Sequence, residues 1–365
     1  MKNSHQDKHV ARDRKSDKST SVADITTQTA SEATPRRAFF QKAAVGTVGV
    51  ATGAILAGKS SNGYAASERK QQFERPKLRL SPSQLQLTKE PLREIAVRQT
   101  KIDNDRNAAR FKRRKAYGKT FEAEMKKAGI DLRKSAGRYQ RDIRKWRKTR
   151  ATEILNRTRS TNQKQLMSTV WGDTSGVIVP EYELSWEHYD VTGAPASYGY
   201  STDKSTGELW AAAVAWDSAP KSVDSYAGLG FWYIPNQAGQ LQVASSPSLH
   251  YDGLAAAGWF DVGVSHMSIS MGIAKYLRNP FSFVEWSAIN EDVLWSHTED
   301  DLFDDSEQEG STSAHNMTTT VAADTSHYYA VWVWVRSYSY GENGFGAGFS
   351  SVEADVNSFS YAFFT

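Results

Sequence analysis

The sequence predicts a mainly β protein: an antiparallel, jelly-roll-like β-sandwich at the C-terminal end, preceded by a basic α-helical arm. Three observations predict it. Residues 167–365 alternate apolar and polar positions with period 2, in short runs separated by Gly-, Asn-, Asp- and Ser-rich joints. Residues 91–165 are rich in Ala, Lys, Arg, Glu and Gln and poor in β-branched residues, which is the composition of helices. Charge is also segregated. Residues 68–166 hold 30 Lys/Arg against 11 Asp/Glu, whereas residues 167–365 hold 5 against 25. The chain's net charge of +4 therefore hides a basic middle joined to an acidic end. There is no cysteine, which excludes disulfides, thiolate chemistry and Cys-based zinc or iron–sulfur sites.

The first element, residues 1–66, reads as an export address. Its apolar run, Ala43–Gly58, is shorter than the roughly 20 residues that span a bilayer, and it contains four glycines. A folded core helix would not carry them. The residues before it, Pro35-Arg36-Arg37-Ala38-Phe39-Phe40-Gln41-Lys42, resemble the bacterial twin-arginine translocation (Tat) signal. Arg36, Arg37, Phe39, Phe40 and Lys42 carry the resemblance. Pro35 stands where that pattern has Ser or Thr, and Gln41 intervenes before Lys42. The resemblance implies folding in the cytoplasm, then passage across the membrane with removal of the signal near Ala65-Ala66-Ser67. The mature form would then lack a transmembrane anchor, and the protein would be periplasmic, extracellular or held at the cell surface.

Residues 67–90, with Pro76 and Pro82, read as a linker. The arm, residues 91–165, is expected to break at Gly118 and Gly129 into about three helical pieces. Leu132, Ala136, Tyr139, Ile143 and Trp146 form a narrow apolar stripe of coiled-coil type, equally suited to packing on a neighbouring helix. The remaining faces are basic: Arg113, Arg114 and Lys115, then Arg144, Lys145, Arg147 and Lys148. Such an arm binds a polyanion, docks on the acidic sandwich of its own or another chain, or remains a solvated spacer. For an exported protein the polyanion is a cell-wall polymer or other glycan before it is nucleic acid. No helix-turn-helix, zinc-finger or RNA-binding signature is present.

In the sandwich, Trp210, Ala212, Val214 and Trp216 share one strand face. Further strands are expected near 177–191, 239–245, 258–275, 281–289, 328–339 and 350–364, about eight to ten in all. No βαβ alternation and no phosphate-binding glycine loop appears. Three features are candidates for function. Residues 299–309 hold seven carboxylates, among them Asp300, Asp301, Asp304, Asp305 and Glu307, which suit either Ca²⁺ or a solvated acidic loop, although the EF-hand spacing is missing. Tyr328, Trp332, Trp334 and Arg336 share one face of a strand whose other face is Tyr329, Val331, Val333 and Val335. That Tyr/Trp/Trp/Arg face is either an exposed surface for stacking sugar rings or a second buried face beneath a covering arm. Finally, His188, His250, His266, His297, His315 and His327 match no metal-binding spacing, and no nucleophile elbow is present.

These features together describe an exported, non-catalytic binding or assembly protein that self-associates through its arm or binds a polyanion. The alternative is a secreted polysaccharide hydrolase, which needs two facing carboxylates about 5–10 Å apart. The export reading makes a direct prediction. Fractionation of the host, with intact-mass measurement, should find the protein outside the cytoplasm and starting near Ser67. A cytoplasmic chain retaining residues 1–66 would refute it.

Overall fold

The computed structural model describes residues 78–129, 149, 152, 169–193, 197–216, 221–258, 261–300, 305–342 and 346–365. Arg36, Arg37, Phe39, Phe40 and Lys42 lie outside them, as does the stripe from Leu132 to Trp146.

One long helix, α1 (Pro82–Lys127), precedes the sheets. It begins inside the segment read as a linker, and the cause is local. Ser81 accepts from the Gln84 backbone N–H while the Gln84 side chain accepts from the Ser81 N–H, a reciprocal capping box with Pro82 in the first turn. The helix runs through Pro91, which forfeits one backbone donor, and through the buried Gly118 without breaking.

Fifteen strands follow among the described residues: β1 (Thr169–Trp171), β2 (Gly176–Ile178), β3 (Leu184–Thr192), β4 (Ser197–Asp203), β5 (Glu208–Trp216), β6 (Lys221–Ile234), β7 (Gly239–Ser245), β8 (Ser248–Ala256), β9 (Gly263–Leu277), β10 (Ser282–Glu299), β11 (Asp305–Thr312), β12 (Met317–Ala323), β13 (His327–Gly341), β14 (Ala347–Asp355) and β15 (Phe359–Phe364). The main sheet has the order β1-β6-β13-β9-β10, with β3 also paired to β6. A five-stranded sheet, β11-β8-β14-β5-β4, and a four-stranded sheet, β12-β7-β15-β2, form the opposing layer. Every pairing is antiparallel except β1 with β6. The fold is thus the predicted β-sandwich with a helix ahead of it.

The core lies between the two layers. Val331, Val333 and Val335 of β13 stand beside Phe231, Leu229 and Ala227 of β6, and beside Ile273, Met271 and Ile269 of β9. These residues pack against Leu241 and Val243 of β7, Val352 of β14 and Phe359 of β15.

The outer face of the main sheet is buried as well. Trp332 and Trp334 alternate with the core valines, and their neighbours across the ladder are small: Gly230 and Gly272 flank Trp332, and Gly228 and Ser270 flank Trp334. A Cβ on Gly272 would come within 2.9 Å of the Trp286 ring and 3.1 Å of the Trp334 ring. These small residues let the indoles pack over the sheet, where Leu92 and Ala96 of α1 complete the cluster. Tyr276 fastens the same region by donating to the Thr88 carbonyl oxygen (3.1 Å). Truncating Leu92 therefore opens a cavity between helix and sheet. Leu92→Ala is expected to lower stability by about 2–5 kcal/mol, measured by denaturant unfolding; a change below about 0.5 kcal/mol, the scale of surface substitutions, would show that α1 is not part of the cooperative fold.

Candidate functional site

Along α1 the buried positions Leu92, Ala96, Thr100 and Asn107 follow helical spacing, and the half-buried Asp103 falls on the same face. The face changes from apolar to polar on the way, and the sheet beneath it changes in step. Beyond Trp334, the outward residues of β13 are Arg336 and Tyr338, beside Asp224 and Tyr226 of β6 and His266 and Ser268 of β9.

Arg336 and Asp224 form a buried ion pair. The Arg336 Nε donates to both Asp224 oxygens (3.0 and 3.2 Å), and Nη2 donates to Asp224 Oδ2 (2.7 Å) and to Asp103 Oδ2 on the helix (2.8 Å). Asp224 Oδ2 also accepts from Tyr226 (3.0 Å) and lies 2.7 Å from the Thr100 hydroxyl. Burial pushes the Asp224 carboxyl up, and Arg336, Thr100 and Tyr226 oppose that shift. Burial likewise works against the charge on Arg336, but Asp224 prevails and holds the guanidinium well above its ordinary value. Next along the seam, Asn107 donates to the Tyr338 hydroxyl, which donates to Asn104 (both 3.0 Å).

Beside this anchor, between α1 and the strands β9 and β10, opens a cleft of about 400 Å³. The helix contributes Gln99, Ile102, Asp103, Arg106, Asn107 and Arg110; β10 contributes Glu291, Val293, Ser296 and Thr298; Val264, His266, Arg336 and Tyr338 come from the rest of the sheet. Two carboxylates thus line one cleft, and both are engaged. Asp103 accepts from Arg336, and Glu291 accepts from Ser268 (2.8 Å) and lies 3.5 Å from the Gln99 amide. Arg110 donates to the Thr298 hydroxyl (2.6 Å) and lies 3.5 Å from the Asn107 side-chain oxygen. The His266 Nε2 is buried without a hydrogen-bond partner, 4.0 Å from a Glu291 oxygen. Burial pulls the His266 imidazole down to about 4, with Arg336 acting the same way and Asp103 opposing. At neutral pH the cleft therefore presents an uncharged imidazole, two guanidiniums at the helix, carboxylates and hydroxyls. That donor set suits polyhydroxylated ligands.

The structure distributes the sequence candidates unevenly. Trp332, Trp334 and Arg336 are buried and Tyr328 is half-buried, with the Arg278 guanidinium 5.1 Å from its ring centre. The exposed sugar-stacking surface is thus corrected to a face covered by α1, because two large apolar indoles between helix and sheet leave water together. Of the basic residues, Arg113 is exposed, Arg114 lies 3.3 Å from Asp300, and Lys115 sits over the Phe111 ring. Arg144, Lys145, Arg147 and Lys148 lie outside the described residues, as do Asp301 and Asp304. The acidic run is not one loop: it ends β10 and forms β11, where Asp305 and Glu307 stand opposite Ala256 and Leu254. Among the described residues no group of three or more acidic, His or Cys side chains is placed to hold a metal ion. Arg110 opens the basic stretch Arg110–Lys115 that the sequence offers to a polyanion, but sequence reasoning did not reach Gln99, Asp103, Asn107, Glu291 or Thr298 as site residues. For the helix residues the one legible signal was the spacing of 4, 4 and 3 along Gln99, Asp103, Asn107 and Arg110.

No family model matches the chain, and no curated protein does either. Among solved structures, the chain is similar to the enzymatically active domain of bacteriophage CBA120 tailspike protein 4, at 9% identity over 49% of this chain, with a TM-score of 0.19. The match spans about a fifth of that tailspike chain (19%). It is also similar to TmCBM61 in complex with β-1,4-galactotriose, at 12% identity over 46% of this chain and 88% of that one, with a TM-score of 0.14. Scores this low bear on neither function nor ligand.

The depressed His266 value has a direct check. The fold holds the neutral imidazole, so this group's contribution to stability is full above the unfolded value of about 6.5. It is lost as pH falls towards the folded value of about 4. An NMR titration of the His266 ring protons should show a midpoint near 4; a midpoint near 6.5 would mean that the cleft floor is open to water.

Proposed function

We propose that this chain is an exported, non-catalytic glycan-binding protein whose ligand lies in the cleft between α1 and the main sheet. One observation carries the reading. A concave site of about 400 Å³ is lined from both sides by hydrogen-bonding side chains, Gln99, Asn107 and Arg110 facing Glu291, Ser296 and Thr298. Sugar hydroxyls need such paired donors and acceptors, and a buried anchor holds the helix that supplies half of them. Export follows the Arg36-Arg37 signal, and no helix among the described residues is long and apolar enough to cross a membrane. In this reading the basic arm is first an internal part: α1 sits on its own chain's sandwich.

A second reading, hydrolysis, is favoured by the two carboxylates Asp103 and Glu291 in the same cleft. Against it, Asp103 is committed to the Arg336 guanidinium at 2.8 Å. Titration calorimetry of the host-derived protein with a panel of neutral and acidic oligosaccharides separates the two. Binding without release of new reducing ends, weakened by Thr298→Val and by Gln99→Ala, is the expected result. Release of reducing ends that vanishes in Glu291→Gln would establish the hydrolase.

A further inference from the structure

We propose that the glycan is acidic, with a sugar carboxylate received by Arg110. This rests on the glycan-binding reading and adds the ligand's charge.

The argument for the carboxylate is one of partners. Four arginines stand at or near the cleft. Arg336 is taken by Asp224 and Asp103, and Arg114 by Asp300 at 3.3 Å. Arg106 reaches Asp103 only at 3.6 Å, with more than half its side chain exposed. Arg110 has hydrogen-bonding neighbours that are neutral, Thr298 and Asn107, and among the described residues no carboxylate lies within 4 Å of it. Its guanidinium lines the cleft half-buried, a setting in which a charge is costly without a counter-charge. A planar carboxylate matches that planar fork. The surroundings reinforce the sign: from Arg106 to Phe121 the helix carries seven Lys or Arg and no acid.

The rest of the lining takes hydroxyls. Glu291, Ser296 and Thr298 face the helix across the cleft. A ligand that meets Arg110 and these groups at once carries both a carboxylate and free hydroxyls, as a uronic acid residue does.

The test compares uronic acid oligosaccharides with the same oligosaccharides whose carboxyl groups have been reduced to alcohols, by calorimetry on the host-derived protein. The acidic form should bind at least about tenfold tighter, on the scale of one charge-assisted hydrogen bond. Arg110→Gln should erase that difference, with Arg110→Lys restoring part of it, while Arg98→Gln on the exposed side of α1 leaves it intact. The thermal midpoint reports whether each variant is folded. Raising the salt from 0.15 M towards 1 M should weaken the acidic ligand and spare the reduced one. If the reduced forms bind equally well and lose affinity in Glu291→Gln, the cleft takes neutral glycans; the charge inference falls and the glycan-binding reading stands. If neither form binds, both fall. If single-stranded DNA binds instead and Arg113→Gln weakens it as much as Arg110→Gln, the basic helix face is a polyanion surface and the inference is overturned.

Discussion

The buried contact of Arg336 with Asp224 and Asp103 is the constraint on which the rest of the structure depends. A guanidinium placed between a sheet and a helix loses its water, and the loss is tolerable only with excellent geometry and no idle donors. Here one carboxylate takes the fork from the sheet and a second takes it from the helix. Breaking a buried pair by removing one partner costs about 3–5 kcal/mol, because the other charge remains. An apolar helix face can slide by a turn over an apolar sheet at modest cost. It cannot do so when Asp103 must meet Arg336 and Asn107 must meet Tyr338. The polar half of the seam therefore sets the register of α1, and the apolar half, Leu92 and Ala96 against Trp232, Trp332 and Trp334, supplies the adhesion.

That division of labour explains where the cleft lies. Over the tryptophans the sheet offers bulk, and the helix packs down on it. Past Trp334 the outward column of β9 is Ser270, Ser268 and His266, and the central column becomes Arg336 and Tyr338. The ion pair and the Asn107–Tyr338 contact fasten the helix to this centre, while the space towards β10 stays open. Register also decides which arginines face inward. With Asp103 fixed, Asn107 and Arg110 follow on the same face at helical spacing.

Much of this was legible in the sequence, and the parts that were not share a cause. Period-2 alternation marked the strands because one face of each meets a common core, as in Tyr329, Val331, Val333 and Val335. Charge counting and composition marked the helical arm. The helix start was written in Ser81-Pro82-Ser83-Gln84, but the prolines Pro76 and Pro82 read more strongly as a linker, so the arm was expected to begin only at Pro91. The tolerance of Pro91 comes from packing, since its ring is buried. The Trp332/Trp334/Arg336 face carried two readings because alternation reports only that faces differ, not whether the second is dry. The covering helix, more than 230 residues away for the pair Asp103–Arg336, decides that. Cleft residues from α1 and β10 meet only through this long-range docking, and no local pattern encodes it.

In the proposed reading, the same docking ties ligand binding to α1. The cleft has no existence on either surface alone: Gln99, Asn107 and Arg110 belong to the helix, Glu291 and Thr298 to the sheet. A ligand touching both favours the docked arrangement over any in which α1 has lifted, by its differential affinity for the two. Linkage is reciprocal, so whatever secures the helix, the tryptophan cluster and the Arg336 pair included, raises the affinity of the cleft to the extent that the undocked state is populated. A basic arm and an acidic sandwich are then more than complementary charges. α1 lies over the sheet, its N-terminal part supplies adhesion and register, and in the proposed reading the cations beyond the anchor are the ones that meet a ligand.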